Sequence, residues 1–213
     1  MILNFEDFCR ELNKSGFSMG GGNAKGIFAL IDYDWLNQDM RDTPVKWHCG
    51  DPEVDPWEWR MRVLEERMDI AYSKMFFKTS GFITKDWYPY FYAVRRNGET
   101  FEESYERGTV SHTAKWVYDI VSEGYVALHE IKALGGFGKE DKSQFDRAMV
   151  ELQMGMFITM TGRQQKKTNT ASNTAGTAPC LPPWKISGQS VTLRSRDGMP
   201  KKAMKRSASR SCC

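Results

Sequence analysis

Four carboxylates, Asp51, Glu53, Asp55 and Glu58, sit within eight residues of one another beside Trp57 and Trp59. A pair of carboxylates could activate water against a glycosidic bond, and an indole could stack a base. The same residues also suit a helix start. Asp55 fits an N-cap, Pro56 the first helical position and Glu58 the third, a capping-box pattern. The capping role is the preferred reading, because it already occupies Asp55 and Glu58. His48, His112 and His129 have neither metal-ligand spacing nor a nucleophile–base arrangement and read as structural. The glycine run at Ser18–Asn23 lies between a helix and a strand. A phosphate-cradling loop needs a preceding strand and a following helix with Lys and Ser or Thr. No metal and no small-molecule cofactor is expected. The five cysteines are odd in number and lack metal spacing, so reduced thiols are expected.

A second set of residues suits nucleic acid. Lys139, Lys142, Ser143, Gln144 and Arg147 lie near the start of a helical segment, several of them off its apolar face. Such side chains could reach base edges and phosphates. Arg163, Lys166 and Lys167 follow a strand, where a wing would meet phosphate. Glu140, Asp141 and Asp146 are interspersed, so an ordinary solvated helix face is the alternative.

The elements that must position these residues follow from periodicity and caps. Asn4 to Gly16 reads as a helix with Phe5, Phe8, Cys9 and Leu12 on one face. Gly26–Ile31 reads as a buried strand and Val45–His48 as a short one. A helix runs from Pro56 to about Glu66. Strand-like segments surround Lys74–Lys78, with a turn at Ser80–Gly81. Thr84 is expected to cap a helix reaching Arg96, and Thr100 with Glu103 opens a short one. From Ser111 the pattern is helical: Ser111 to Gly124, Leu128 to Leu134, a turn at Gly135–Gly138, and Lys139 to Met154. Met156–Thr161 then reads as a strand. Three helices, a glycine turn before the third, and a strand entering a basic run is the order of a winged helix-turn-helix.

The chain has 213 residues, 40% of them hydrophobic and 27% charged. That is length for one large domain or two small ones. No apolar run approaches the ~18 residues of a membrane span, and the start has no secretory pattern, so a cytoplasmic location is expected. The net charge of +3 hides a division. Residues 168–213 carry eight bases and one acid, while the rest carries 22 bases and 26 acids. Of 27 aromatics, only Trp184 lies beyond Lys167. Such a segment cannot offset its chain entropy by burial, so 168–213 is expected to be disordered and outside the fold. Translation out of frame explains the abrupt break better and is the preferred reading of this segment. A one-base slide of the back-translated codons forces Glu across Trp184–Lys185 and allows an aromatic, strand-like reading of the segment from Asn169.

Asp55-Pro56-Trp57-Glu58-Trp59-Arg60, Gly81-Phe82-Ile83 followed by Trp87-Tyr88-Pro89-Tyr90-Phe91, and the helical module together resemble the AlkZ-related proteins. These are distant relatives of the winged-helix DNA glycosylases that unhook interstrand crosslinks. The resemblance covers residues 1–167 and implies a DNA-binding architecture. That family is associated with tandem winged helices and a catalytic Gln-x-Gln motif. This chain has room for one complete winged helix, and no two of its glutamines are separated by one residue. The catalytic residues are therefore not carried over.

The expected fold class is α+β: a mixed α/β region at 1–108, a winged helix-turn-helix module at 109–167 with a truncated wing, and the tail at 168–213. The expected function is binding of double-stranded DNA, linked to repair, through Lys139, Lys142, Ser143, Gln144, Arg147, Arg163, Lys166 and Lys167. A non-catalytic protein-interaction module is the rival, favoured by the −4 charge of the body, and a DNA glycosylase the third reading.

Overall fold

A computed structural model describes residues 1–21, 28–31, 43–122, 124–162 and 192–195. The class is α+β. The first half is built on a three-stranded antiparallel sheet ordered β1 (Phe17–Met19), β3 (Thr79–Thr84), β2 (Ile70–Phe76). Helices α1 (Phe5–Ser15) and α2 (Pro56–Glu66) cover one face. Phe5, Phe8, Leu12, Trp59, Val63 and Leu64 pack there with Ile70, Tyr72 and Phe82 of the sheet. A second cluster joins Met75, Phe76 and Ile83 to Tyr88 at the start of α3 (Tyr88–Arg96).

The caps explain the helix limits. Asn4 accepts a hydrogen bond from Asp7 N at 2.9 Å, and Gly16 ends α1 at φ 86°. A Cβ at Gly16 would lie 2.1 Å from the Trp87 indole, so this position needs glycine for space as well as for backbone. Gly81 is similarly confined: its Cβ would meet the Phe76 ring at 2.4 Å. Thr100 and Glu103 form the expected capping box at the start of α4 (Phe101–Glu106).

Several expectations need correction. Thr84 ends a strand and does not cap α3; its hydroxyl donates to Gly16 O at 3.0 Å, tying β3 to the end of α1. Val45 and Lys46 lie outside any strand, and Trp47 and His48 form a turn, with His48 at φ 59°. Within the expected strand at 26–31, residues 28–31 are irregular, although Phe28 O accepts from Met19 N at 2.9 Å; residues 26 and 27 lie outside the described residues. The hairpin turn falls at Phe77–Lys78, since Phe76 pairs with Thr79.

The second half contains α5 (His112–Ser122), β4 (Val126–Ala127), α6 (Leu128–Leu134), α7 (Lys142–Met154), β5 (Ile158–Gly162) and β6 (Thr192–Ser195). Its core joins Val117, Tyr118, Val121, Ile131, Phe145, Leu152 and Phe157. Phe101 belongs to this core and stacks on Tyr118 with ring centroids 3.6 Å apart, so the cluster draws in α4 from before residue 109. The strands form an antiparallel sheet ordered β4-β6-β5. Composition places all of 168–213 outside the fold, yet Thr192–Ser195 pairs with both other strands of this sheet. Backbone pairing does not require the aromatic composition that the tail lacks.

The two halves are joined by buried polar bonds. Gln153 of α7 accepts from Ser73 Oγ at 2.8 Å and from Lys74 N at 3.0 Å, and donates to Met149 O at 3.1 Å. β2 is an edge strand, and α7 covers that edge.

Candidate nucleic-acid interface

Helix α7 is placed by its buried side. Phe145, Ala148, Met149 and Leu152 recur at helical spacing and enter the core. Glu151 fixes its rotation, accepting from Ser111 N at 2.6 Å and Ser111 Oγ at 2.8 Å. Ser111 Oγ in turn accepts from Ala114 N at the start of α5. Glu130 accepts from Ala127 N at 2.8 Å, which sets the entry to α6. Gly136 at φ 64° turns the chain toward α7.

The opposite side of α7 exposes Lys142, Ser143, Gln144, Asp146 and Arg147. The fold brings four of the expected contact residues, Lys142, Ser143, Gln144 and Arg147, onto this one surface. Lys139 is exposed too but precedes the helix. Asp141 explains the later start: its carboxylate accepts from Gly138 N at 2.9 Å, closing a turn over Lys139. Arg163, Lys166 and Lys167 lie outside the described residues, in the sequence between β5 and β6.

The exposed face is not uniformly basic. Lys142 pairs with Asp146 one turn on. That bond holds the Asp146 carboxyl below the usual carboxylate range, with Lys132 and Lys74 contributing in the same direction. Arg147 Nε donates to Ser143 O at 3.2 Å. An exposed pair of this kind contributes little to stability, roughly 0–1 kcal/mol, and its lysine can exchange one anion for another.

The acidic cluster resolves differently. Asp55 is 1% exposed. Its Oδ1 accepts from Trp57 N at 2.8 Å and His48 N at 3.0 Å, and its Oδ2 from Gly50 N at 2.9 Å. Three backbone N–H groups hold both oxygens, which caps α2 and pins the preceding loop. Asp51 accepts from Glu53 N, and Glu53 pairs with Arg62 at 2.9 Å. Trp59 is core: it stacks on Phe8 and donates to Pro52 O at 3.1 Å. Trp57 is 43% exposed beneath the Arg60 guanidinium, 3.3 Å from its ring centroid. Among the described residues, no group of three or more His, Cys, Asp or Glu side chains is arranged to hold a metal ion, and no helix is long and apolar enough to cross a membrane.

Sequence reasoning placed the turn of the β2–β3 hairpin at Ser80–Gly81 and named no contact residue on this hairpin, which packs against α7 at Gln153 and Met154. Lys74 and Lys78 are exposed there and Phe77 is 64% exposed. The turn has no Gly or Asn to announce it, whereas Ser80–Gly81 offered the usual signal.

No curated protein and no solved structure matches the chain. One family model does, described as AlkZ related, and it matches residues 2–210. The matched span runs well past Thr168, so the break in composition there is not the edge of the family likeness. The chain belongs to the AlkZ-related family.

Proposed function

We propose that the protein binds double-stranded DNA through a winged helix-turn-helix formed by α5, α6 and α7 with the β4-β6-β5 sheet. The observation that carries this reading is the pairing of that topology with the exposed side of α7. A short strand lies between the first two helices, and the third helix presents Lys142, Ser143, Gln144 and Arg147 together. In such a module the third helix enters the major groove. Lys139 and these four would meet base edges and phosphates, and Arg163, Lys166 and Lys167 would meet phosphate from the wing. Membership of the AlkZ-related family links the chain to glycosylase-like DNA-repair proteins and supports the same reading. No catalytic residue is assigned: Asp55 is 1% exposed, and three backbone N–H groups already hold its carboxylate.

A non-catalytic interaction module is the second reading, favoured by the Lys142–Asp146 pair and the acids around it. Duplex binding by the full chain, measured at about 50 and 200 mM salt, separates the two. Under the DNA reading, Lys142→Glu with Arg147→Glu weakens binding at both concentrations and lowers the salt slope by about two. Duplex binding that is absent in the parent, or unaltered by the double substitution, overturns it.

A further inference from the structure

At about 100° per residue, the buried side chains of α7 gather on one side, with Phe145 and Leu152 at its centre. Asp146, Ser143 and Arg147 form the stripe opposite, and Lys142 and Gln144 lie on its two flanks, all five exposed. A helix in the major groove sets its central stripe over base edges and its flanks toward the sugar–phosphate walls. Arg147 Nε donates to Ser143 O at 3.2 Å, which orients the guanidinium, while Nη1 and Nη2 make no hydrogen bond among the described residues. Asp146 Oδ2 accepts from Lys142, and Oδ1 accepts no hydrogen bond among the described residues. The stripe thus offers two donor nitrogens beside an acceptor-only carboxylate, on consecutive residues.

A G·C pair displays the complementary set on its major-groove edge: guanine O6 and N7 accept, and cytosine N4 donates. Thymine instead offers an acceptor and a methyl group. We propose that α7 reads a G·C-containing site, with Arg147 donating from Nη1 and Nη2 to guanine and Asp146 accepting from a cytosine amino group, so that Asp146 determines specificity. The inference rests on the DNA-binding reading of α7 and adds the base that the helix selects. It also gives the acid on this face a use. Asp146 repels phosphate and so weakens indiscriminate binding. Lys142 can leave it for a phosphate on the flank, which frees the carboxylate to meet a base. Against cytosine the carboxylate is satisfied; against thymine it loses its water and faces another acceptor. Discrimination comes from that penalty as much as from the bond.

The test uses the full chain and a pool of duplexes randomised over one helical turn, with the bound fraction sequenced and the selected duplex titrated beside its single-pair variants. The parent is expected to select guanine and cytosine. It should lose about 5- to 150-fold in affinity when the selected cytosine becomes thymine, the range for one specific base contact. Asp146→Asn should move the preference at that position toward adenine, because a carboxamide matches adenine N6 and N7. Asp146→Ala should bind cytosine and thymine there about equally. Circular dichroism should show both variants folded, because an exposed ion pair contributes little to stability. A parent that binds the pool without sequence preference, or a preference that is unchanged in both Asp146 variants, overturns the readout proposal. So does an Asp146→Ala variant that tightens on every duplex alike, since Asp146 would then act only as a repelling charge. In each of those cases the α7 reading is decided separately: it stands if Lys142→Glu with Arg147→Glu weakens binding to the pool, and fails if it does not. A parent that binds no duplex overturns both.

Discussion

At the scale of the residue, the carboxylates divide by what their oxygens already accept. Asp55 is committed to three N–H groups and is buried, so removing it leaves those donors without their acceptor. Asp55→Ala should cost about 2–4 kcal/mol: an N-cap is worth ~1, and the His48 and Gly50 N–H groups each lose a bond to a charged acceptor, worth roughly 0.5–1.5. Asp55→Asn should cost nearly as much, because its amide nitrogen would face a donor at one of the two positions. Urea unfolding of both variants measures this, and a loss below ~1 kcal/mol would mean that the loop can rearrange. Asp69 is a different case, at the protein surface. Its bond to Arg67, helped by Asn13, holds the carboxyl down at about 2. A carboxyl depressed on folding contributes stability that is complete above its unfolded value, about 4. That contribution is lost as pH falls toward 2. Asp69→Asn should therefore flatten the pH dependence of unfolding between about 4 and 2 while leaving its shape near pH 7 unchanged.

At the scale of the element, local signals carried the helices well and the strands poorly. Asn4, Asp55 and Thr100 each cap the helix that follows, because a cap and its first turn are close in sequence. The strands depend on partners far along the chain. β1 is three residues long and exists through Phe17–Met19 pairing with Gly81–Ile83, a distance that no periodicity reports. Trp47 and His48 look like strand residues, yet the carboxylate of Asp55 draws the His48 backbone into a turn. The apolar side of α7 was legible, and with it the side left for contact. The role of Gln153 was not, because its partners Ser73 and Lys74 lie about 80 residues away. Gln153→Ala would strand the Ser73 hydroxyl and the Lys74 N–H in a buried seam. A loss of about 2–4 kcal/mol is expected, the sum of two unsatisfied groups and a small cavity. Faster amide exchange at Lys74 should accompany it, and unchanged exchange there would show that another acceptor takes over.

At the scale of the whole molecule, elements on the two sides of residue 108 share structure. Phe101 packs in the second core, Met156 packs in the cluster around β3, and α7 covers the edge of β2. The composition of residues 168–213 suggests a tail without structural use, but β6 occupies the centre of the second sheet. Val126 and Ala127 of β4 pair with Leu193 and Thr192, and Ile158, Thr159 and Met160 of β5 pair with Ser195, Arg194 and Leu193. β4 and β5 are not neighbours in this sheet, so β6 is what connects them. Deletion of 168–213 should therefore leave two strands without their shared partner while the first sheet, β1-β3-β2, keeps all of its own. Hydrogen exchange distinguishes the two effects. Amides of β4 and β5 should lose protection in the shortened chain, and those of Tyr72, Phe82 and Ile83 should keep it. Equal protection at β5 in both chains would return the tail to the role its composition suggests. A loss spread equally over both sheets would mean that the shared seam at Gln153 makes them unfold as one unit.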